Sequence, residues 1–213
     1  MPEAAAGLRE RNKRAKLERI TAAALELFRT KGFEETTARE ICERAGIGTG
    51  TLFLYVRDKR ELLFLTFEAD ARRLFAAGKA EAARTAGLVD QLMCLFGRFT
   101  AYYALDRALS KAIVQELFFR AHDPGGLGRL TREFAEHVAD LVEAAQARGE
   151  IRTDLTPARA AMALFAHYAY WTLGWLGTEM LARESVEPGL RRALELQVEG
   201  LGTNHDNRIE NTR

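Results

Sequence analysis

Hydrophobic side chains recur every three or four residues along most of this chain. Near the start, residues 17, 20, 24, 27 and 28 are apolar, which predicts a first helix that Gly32 ends. No stretch alternates in the manner of a β-strand, so we predict an all-α protein. Further apolar stripes of helical period predict helices near residues 58–84, 88–105, 108–121, 127–148 and 188–201.

Residues 160–178 contain no charged side chain. By length this run is a candidate transmembrane helix, and a membrane-anchored helical protein is one alternative. We favour a buried helix, because the run contains His167, two Tyr and two Gly residues and has no basic cluster beside it. A helix that is apolar all round is covered on two sides. We expect one side to face its own core and the other a partner chain.

The most informative stretch is residues 36–61, TTAREICERAGIGTGTLFLYVRDKRE. Thr37 and Glu40 have the spacing of a capping box, which starts a helix. Gly46 can end that helix in a left-handed conformation, and a second short helix is predicted from about residue 49 to residue 56. This is the helix-turn-helix layout, in which the second helix enters the major groove of DNA.

Residues 46–56, GIGTGTLFLYV, followed by DKREL at 58–62, closely resemble the DNA-binding signature of TetR-family transcriptional regulators. The resemblance is detailed over the first quarter to third of the chain. One departure is that Gly48 and Gly50 leave the start of the recognition helix without side chains. The family often has a polar or basic residue at the first of these positions.

The resemblance implies two domains. An N-terminal arm with a three-helix DNA-binding domain would occupy residues 1–57, and a helical effector-binding and dimerisation bundle residues 58–203. A polar tail follows at 204–213. The charge distribution agrees with DNA at one end: residues 1–60 contain 13 Lys and Arg against nine Asp and Glu, whereas residues 61–213 contain 18 against 21.

Contacts to phosphate and contacts to bases have different candidates. Six basic residues between Leu8 and Arg19 indicate an arm along the DNA backbone or minor groove, although such a segment is also typical of a solvated helix start. Within the motif we expect methyl contacts and DNA shape to matter more than bidentate hydrogen bonds. The candidate DNA-binding residues are Arg11, Lys13, Thr37, Arg39, Gly48, Thr49, Gly50, Thr51, Tyr55 and Lys59, of which Tyr55 and Lys59 match the family's phosphate-binding positions.

The aromatic residues of the bundle are candidates for an apolar pocket, although each is also a plausible core residue. The resemblance implies a small, largely apolar effector that lowers DNA affinity, and dimerisation through the last two long helices. The pocket candidates are Phe96, Phe99, Tyr103, Phe118, Phe134, His137, Tyr168 and Trp171. The dimer candidates are Phe165, Thr172, Trp175, Leu190, Leu194 and Val198.

Catalytic and metal-binding patterns are missing from the sequence. The four histidines are scattered, and Cys42 and Cys94 are far apart without a C-x-x-C pattern. We predict no enzyme activity, metal or cofactor, and a cytoplasmic location because no secretory pattern begins the chain. The predicted function is a homodimeric repressor released from a palindromic operator by its ligand. A DNA-binding dimer controlled by a protein partner, or acting without an effector, remains open.

Overall fold

The computed structural model describes residues 2–120, 126–178 and 180–202, and its regular structure in these ranges is entirely helical. The all-α prediction is therefore confirmed. The helices are α1 (Pro2–Lys31), α2 (Ala38–Ala45), α3 (Thr49–Leu52), α4 (Lys59–Ala82), α5 (Leu88–Leu105), α6 (Arg107–Arg120), α7 (Gly126–Ala147), α8 (Pro157–Leu176) and α9 (Arg183–Leu201).

Two compact units make up the chain. We call Met1–Arg72 with Leu105–Gly128 the head unit, and Arg73–Ala104 with Arg129–Arg213 the body unit. These bounds differ from the predicted division after residue 57. The first half of α4 and the whole of α6 group with α1, α2 and α3, because α6 packs against α1.

The core of the head unit forms where α1 meets the segment leading into α2. Gly32 has a φ of 93°, a conformation that favours glycine, and it turns the chain out of α1. The rings of Phe28 and Phe33 then meet edge to face with 5.3 Å between centroids. The Thr36 hydroxyl donates to the Gly32 carbonyl at 2.7 Å. These contacts bury both rings and fix the direction in which α2 begins.

Ion pairs fasten α6 to the rest of the head unit. Asp106 caps α6 by accepting a hydrogen bond from the Leu109 N–H at 3.0 Å, and its carboxylate lies 3.9 Å from Arg29 of α1. Arg60, in the first turn of α4, lies 3.3 Å from Glu116, whose side chain is only 8% exposed. A buried carboxylate needs such a partner, because an unpaired charge in the core is costly.

Helices α8 and α9 pair in the body unit through a tryptophan that rests on a glycine. A Cβ atom at Gly189 would lie 2.1 Å from Cη2 of Trp171, so only glycine leaves room for this ring. On the same two helices His167 Nε2 lies 3.1 Å from Gln197 Oε1. The close approach of the two helices therefore requires a residue without a side chain at position 189.

Several residues predicted to form a dimer surface lie inside their own chain. Thr172, Trp175, Leu190 and Leu194 are each at most 3% exposed, because the faces of α8 and α9 that carry them form the body core. Their assignment to a dimer surface is therefore wrong. Phe165 and Val198 are half-buried. The outward faces of these helices instead present Met162, Tyr170 and Leu196.

The charge-free run at 160–178 falls mostly within α8. Among the described residues, none of the helices is both long and apolar enough to cross a membrane.

We predict that Gly189→Ala lowers the free energy of unfolding by about 1–3 kcal/mol, the usual cost of overpacking a filled core. The Trp171 ring would have to leave its position to admit the new methyl group. Urea unfolding followed by circular dichroism measures the change. Gly200→Ala is the matched control on the same helix, because a Cβ there meets nothing within 4 Å. Equal stability of the two variants would contradict the steric argument.

Candidate functional site

The turn between α2 and α3 has the geometry that the sequence predicts. Gly46 adopts a left-handed conformation with φ 65° and ψ 44°. The Ile47 N–H donates to the Cys42 carbonyl at 3.0 Å, and the Gly46 N–H donates to the Glu43 carbonyl at 3.3 Å. This pair of bonds is the Schellman motif, which satisfies the last carbonyls of α2. It fixes the angle at which α3 leaves α2.

The predicted capping box at the start of α2 is confirmed. The Thr37 N–H donates to Glu40 Oε2 at 2.8 Å, and the Glu40 N–H donates to Thr37 Oγ1 at 3.3 Å. Lys31 Nζ lies 2.5 Å from the other carboxylate oxygen of Glu40. The hydrogen bond from Lys31, followed by those from Thr37, lowers the pKa of Glu40 from its usual 4.5 to about 2.

Thr37 therefore has less free hydrogen-bonding capacity than its assignment as a phosphate ligand assumes. Its hydroxyl also donates to Glu40 Oε2, at 2.8 Å, so both its N–H and its hydroxyl are engaged by a carboxylate. A DNA phosphate at this helix N-terminus would have to displace that carboxylate. The contact stays a prediction.

The recognition helix is shorter than predicted. It spans four residues, Thr49–Leu52, rather than continuing to residue 56. After it the Leu54 N–H donates to the Thr51 carbonyl at 3.2 Å and the Tyr55 N–H donates to the Leu52 carbonyl at 2.9 Å, in tight turns that span three residues. Glycine at position 50, inside this helix, lowers helix propensity by about 1 kcal/mol, which favours a short helix.

Neither glycine of this segment is required by the fold. Gly48 has a φ of −76°, which any residue adopts, and a Cβ there would lie 3.9 Å from the nearest heavy atom, Oγ1 of Thr51. A Cβ at Gly50 would meet nothing within 4 Å. The protein therefore has room for a side chain at either position.

The outward surface after α3 is apolar. The side chains of Leu52 and Val56 are buried, with 1% and 3% of their surface exposed. Those of Phe53 and Leu54 are 53% and 80% exposed. Sequence reasoning did not single out this exposed pair. Leu52 and Val56 are four residues apart and apolar, which places them on the inner face of a helical turn. Phe53 and Leu54, the first two of the three residues between them, then point outward. That spacing was the available signal.

The polar side chains among the candidate DNA-binding residues differ in their exposure and in whether they already have a hydrogen-bond partner. Thr49 is exposed, and its hydroxyl is close enough to the Cys42 thiol to lower the pKa of that thiol in part, against the larger effect of burial, which raises it. Thr51 and Tyr55 are half-buried. Arg39 is exposed and its Nε donates to Glu43 at 2.8 Å, which raises the pKa of the guanidinium.

Lys59 has a structural role in addition to the predicted phosphate contact. Its Nζ donates to the carbonyls of Phe33 at 2.7 Å and Glu34 at 3.0 Å, and it lies 4.5 Å from the centre of the Phe33 ring. An ammonium has three N–H donors, of which these carbonyls take two. Arg11 and Lys13, by contrast, are exposed on α1.

In the body unit the structure brings most of the predicted pocket residues into one aromatic cluster. Phe96 stacks on Tyr168 with 4.5 Å between centroids. Phe134 lies 5.8 Å from Phe96 and 5.6 Å from Phe99. Two further rings belong to the cluster: Phe75, which sequence reasoning missed, and Phe165, which it assigned to the dimer surface. The apolar stripe of α4 was the signal for Phe75.

Polar groups lie within and beside this cluster. Tyr103 donates a hydrogen bond to Tyr168, and burial raises the pKa of both phenols. The Thr172 hydroxyl is close enough to affect Tyr168, yet it has no hydrogen-bond partner of good geometry. His137 lies edge-on to Phe75, and its buried Nε2 likewise has no partner. Burial, and secondly the charge of Lys79, lower the pKa of His137, with Asp140 opposing them.

Two pocket candidates lie elsewhere. Trp171 packs against Gly189 and, at 5.8 Å between centroids, against Tyr170. Trp171 is half-buried and its described contacts pair α8 with α9, so its place in a pocket stays a prediction. Phe118 is half-buried on α6, in the head unit. No group of His, Cys, Asp and Glu side chains in the described ranges could hold a metal ion.

Comparison with known proteins identifies the motif. The family model described as "Bacterial regulatory proteins, tetR family" matches residues 20–65, which contain α2, the turn and α3. This chain belongs to the TetR family of transcriptional regulators. As a TetR-family member it is a DNA-binding transcriptional regulator.

Relatives of this TetR-family chain match over most of its length. The HTH-type transcriptional regulator UidR of Escherichia coli K12 is 29% identical over 174 residues, 81% of this chain and 88% of UidR. The TetR-family repressor FadR of Thermus thermophilus, crystallised with lauroyl-CoA, superposes with a TM-score of 0.72 at 26% identity, covering 90% of this chain and 97% of that one. FadR of Bacillus subtilis, crystallised with stearoyl-CoA, shares the fold at 19% identity, with a TM-score of 0.66 over 86% and 98% of the two chains.

We predict that the head unit loses stability in acid as Glu40 is protonated. The folded-state pKa lies below the usual value, so ionised Glu40 stabilises the fold above pH 4.5 and this contribution disappears as the pH falls through about 2. NMR titration of the Glu40 carboxyl measures the pKa directly. Lys31→Met should raise it, because the largest cause of the shift is removed.

Arg14→Met is the matched control for Lys31→Met, since it breaks an exposed pair with Glu18 within α1. It should leave the pKa of Glu40 unchanged. A Glu40 pKa that is the same in wild type and Lys31→Met would refute the assignment to Lys31.

Proposed function

We propose that this chain is a homodimeric repressor that binds a palindromic operator and releases it when a small, largely apolar ligand enters the body unit. The observation that carries the DNA-binding part is the exposed α3 segment, held at a fixed angle by the left-handed turn at Gly46 and the capping box before it. Basic residues on α1 supply the electrostatic part of the affinity.

Dimerisation follows from the size of the recognition element. A four-residue helix and the turn after it contact few base pairs, too few to select one site among the competing sites of a genome. Two heads related by a twofold axis, about 34–36 Å apart, would bind two half-sites one helical turn apart. A twofold dimer therefore pairs naturally with a palindrome.

The outward faces of α8 and α9 support a dimer surface made by residues other than those first predicted. Met162 and Tyr170 on α8 are 70% and 55% exposed, and Leu196 on α9 is 54% exposed. Three large apolar side chains on the exterior of two paired helices are favourable to bury against a second copy. Such pairing would make a four-helix contact across the twofold axis.

The aromatic cluster supports an apolar ligand. Phe96, Phe134 and Tyr168 are each at most 8% exposed, and their rings are in contact. A ligand chain that inserts here must separate these rings, so it favours a different conformation of the body unit. Such differential binding is the condition for a ligand to shift DNA affinity.

Long-chain acyl-CoA thioesters are the first ligand class to test. The Thermus FadR structure, at 26% identity, contains lauroyl-CoA. An acyl chain would match the aromatic rings, and a carbonyl could accept from the hydroxyl of Thr172, which has no partner, or from His137.

We predict that the purified protein protects a palindromic site in DNase footprinting after selection of operators from random duplex DNA. Affinity should fall steeply with salt, and Arg11→Gln or Lys13→Gln should each reduce the slope of log K against log salt by about 1. Leu196→Glu should give monomers in sedimentation and lose the footprint. Leu105→Glu, the control at a leucine that is 81% exposed in the head unit, should remain dimeric.

A footprint on a site without twofold symmetry, or full operator affinity of a monomeric Leu196→Glu protein, would overturn the dimer and palindrome. Failure of the selection to yield any specific site would overturn the whole proposal.

We predict that lauroyl-CoA weakens operator binding and stabilises the free protein, by about 2.7 kcal/mol at a hundredfold excess over its Kd. Thermal unfolding and operator titration measure the two effects. Coenzyme A alone and lauric acid alone show which half of the molecule is bound. Phe134→Leu should raise the ligand concentration required, because Phe134 contacts four rings of the cluster.

Phe64→Leu is the control for Phe134→Leu, since it makes the same chemical change at a buried position of α4 in the head unit. It should leave the ligand response unchanged. Absence of any response to all three compounds would eliminate this ligand class.

A further inference from the structure

The exposed surface beside the recognition helix is unusually apolar for a segment that faces a polyanion. Phe53 and Leu54 are 53% and 80% exposed. Among the exposed large apolar side chains in residues 10–118, 128–178 and 180–202, they are the only two adjacent in sequence. Burying such a pair against a partner is favourable, and leaving it in water is not.

The position of Phe53 and Leu54 next to α3 indicates that their partner is DNA. Phe53 directly follows α3, and its backbone, with φ −71° and ψ −5°, continues the turn of that helix. The pair is therefore continuous with the DNA-binding surface of the helix-turn-helix. Thr49 and Gly50 of α3 are exposed beside it.

The chemistry of this surface favours apolar contacts to bases. The glycines at 48 and 50 provide no hydrogen-bonding side chain, and Thr49 provides only a short hydroxyl. Nothing in the fold requires those glycines, since a Cβ at Gly50 meets no atom within 4 Å. Bare backbone there would let the segment approach the floor of the major groove closely. The apolar group that bases present in that groove is the C5 methyl group of thymine.

We propose that Phe53 and Leu54 are specificity-determining residues that contact thymine methyl groups in the major groove. The operator then contains thymine at the positions that these two side chains reach. This inference rests on the proposed operator binding, and it adds the chemical group that is recognised and the residues that recognise it.

The test replaces each thymidine of the selected operator in turn by deoxyuridine, which removes one methyl group and keeps every hydrogen-bonding group. Burying one methyl group corresponds to about a fourfold change in affinity. At one or more positions in each half-site, wild-type affinity should fall about fourfold on this replacement. Phe53→Ala or Leu54→Ala should weaken binding to the thymine operator and lose the difference between thymine and uracil at the position it contacts.

Three variants separate methyl recognition from other roles. Phe53→Tyr keeps the ring and should keep the thymine preference. Leu105→Ala, at an exposed leucine of the same unit, should change neither affinity nor preference. Gly50→Ala should weaken operator binding while circular dichroism shows an unchanged fold, because its methyl group occupies the space of close approach.

The salt dependence gives an independent readout. Phe53→Ala should leave the slope of log K against log salt unchanged, because no phosphate contact is lost. An equal preference for thymine over uracil in wild type, Phe53→Ala and Leu54→Ala would overturn the inference while leaving the proposed function intact. So would a Phe53→Ala protein with altered self-association and unaltered operator affinity, which would assign the pair to a protein contact. If selection yields no operator, the proposed function fails and this inference fails with it.

Discussion

The left-handed turn at Gly46 is the constraint on which the DNA-binding surface depends. Its two hydrogen bonds close the end of α2, and they set the direction in which the four-residue helix α3 leaves. A helix of that length has no stability of its own, since a single turn costs more conformational entropy than its hydrogen bonds return. Its position therefore comes from its surroundings: the turn before it and the burial of Leu52 and Val56. Lys59 stabilises the same unit by binding the carbonyls at the start of the α1–α2 connection.

Apolar side chains have different roles in the two units. In the body unit the aromatic rings pack against one another. Groups such as the Thr172 hydroxyl remain there without a hydrogen-bond partner. A core with unsatisfied polar groups is less stable than a fully satisfied one, which makes its rearrangement around a ligand less costly. In the head unit the apolar pair at 53 and 54 lies at the surface, where Phe53 is 53% and Leu54 80% exposed. Both departures from ordinary packing lie at the sites that we propose for the ligand and for DNA.

Local sequence determined the elements and several of their ends. The capping box of Thr37 and Glu40 and the glycine at position 46 each act through hydrogen bonds within a few residues, so their outcome could be predicted without the fold. Interactions between distant segments could not. Which face of α8 is buried depends on what packs there, because the sequence of that helix is apolar on both sides. The single apolar stripe of α9 could cover either its own core or a second chain. Leu190 and Leu194 were therefore assigned to the wrong surface.

By itself the sequence determined that the chain is helical, that it carries a helix-turn-helix, and that it resembles the TetR family, because these properties reside in periodicity, caps and a short motif. Tertiary structure alone decided that α6 belongs with the head unit, and that Trp171 pairs two helices by resting on Gly189. Those outcomes depend on distances between residues far apart in sequence or on the exact end of a helix. Such distances are set by the packing of the whole unit rather than by any local preference.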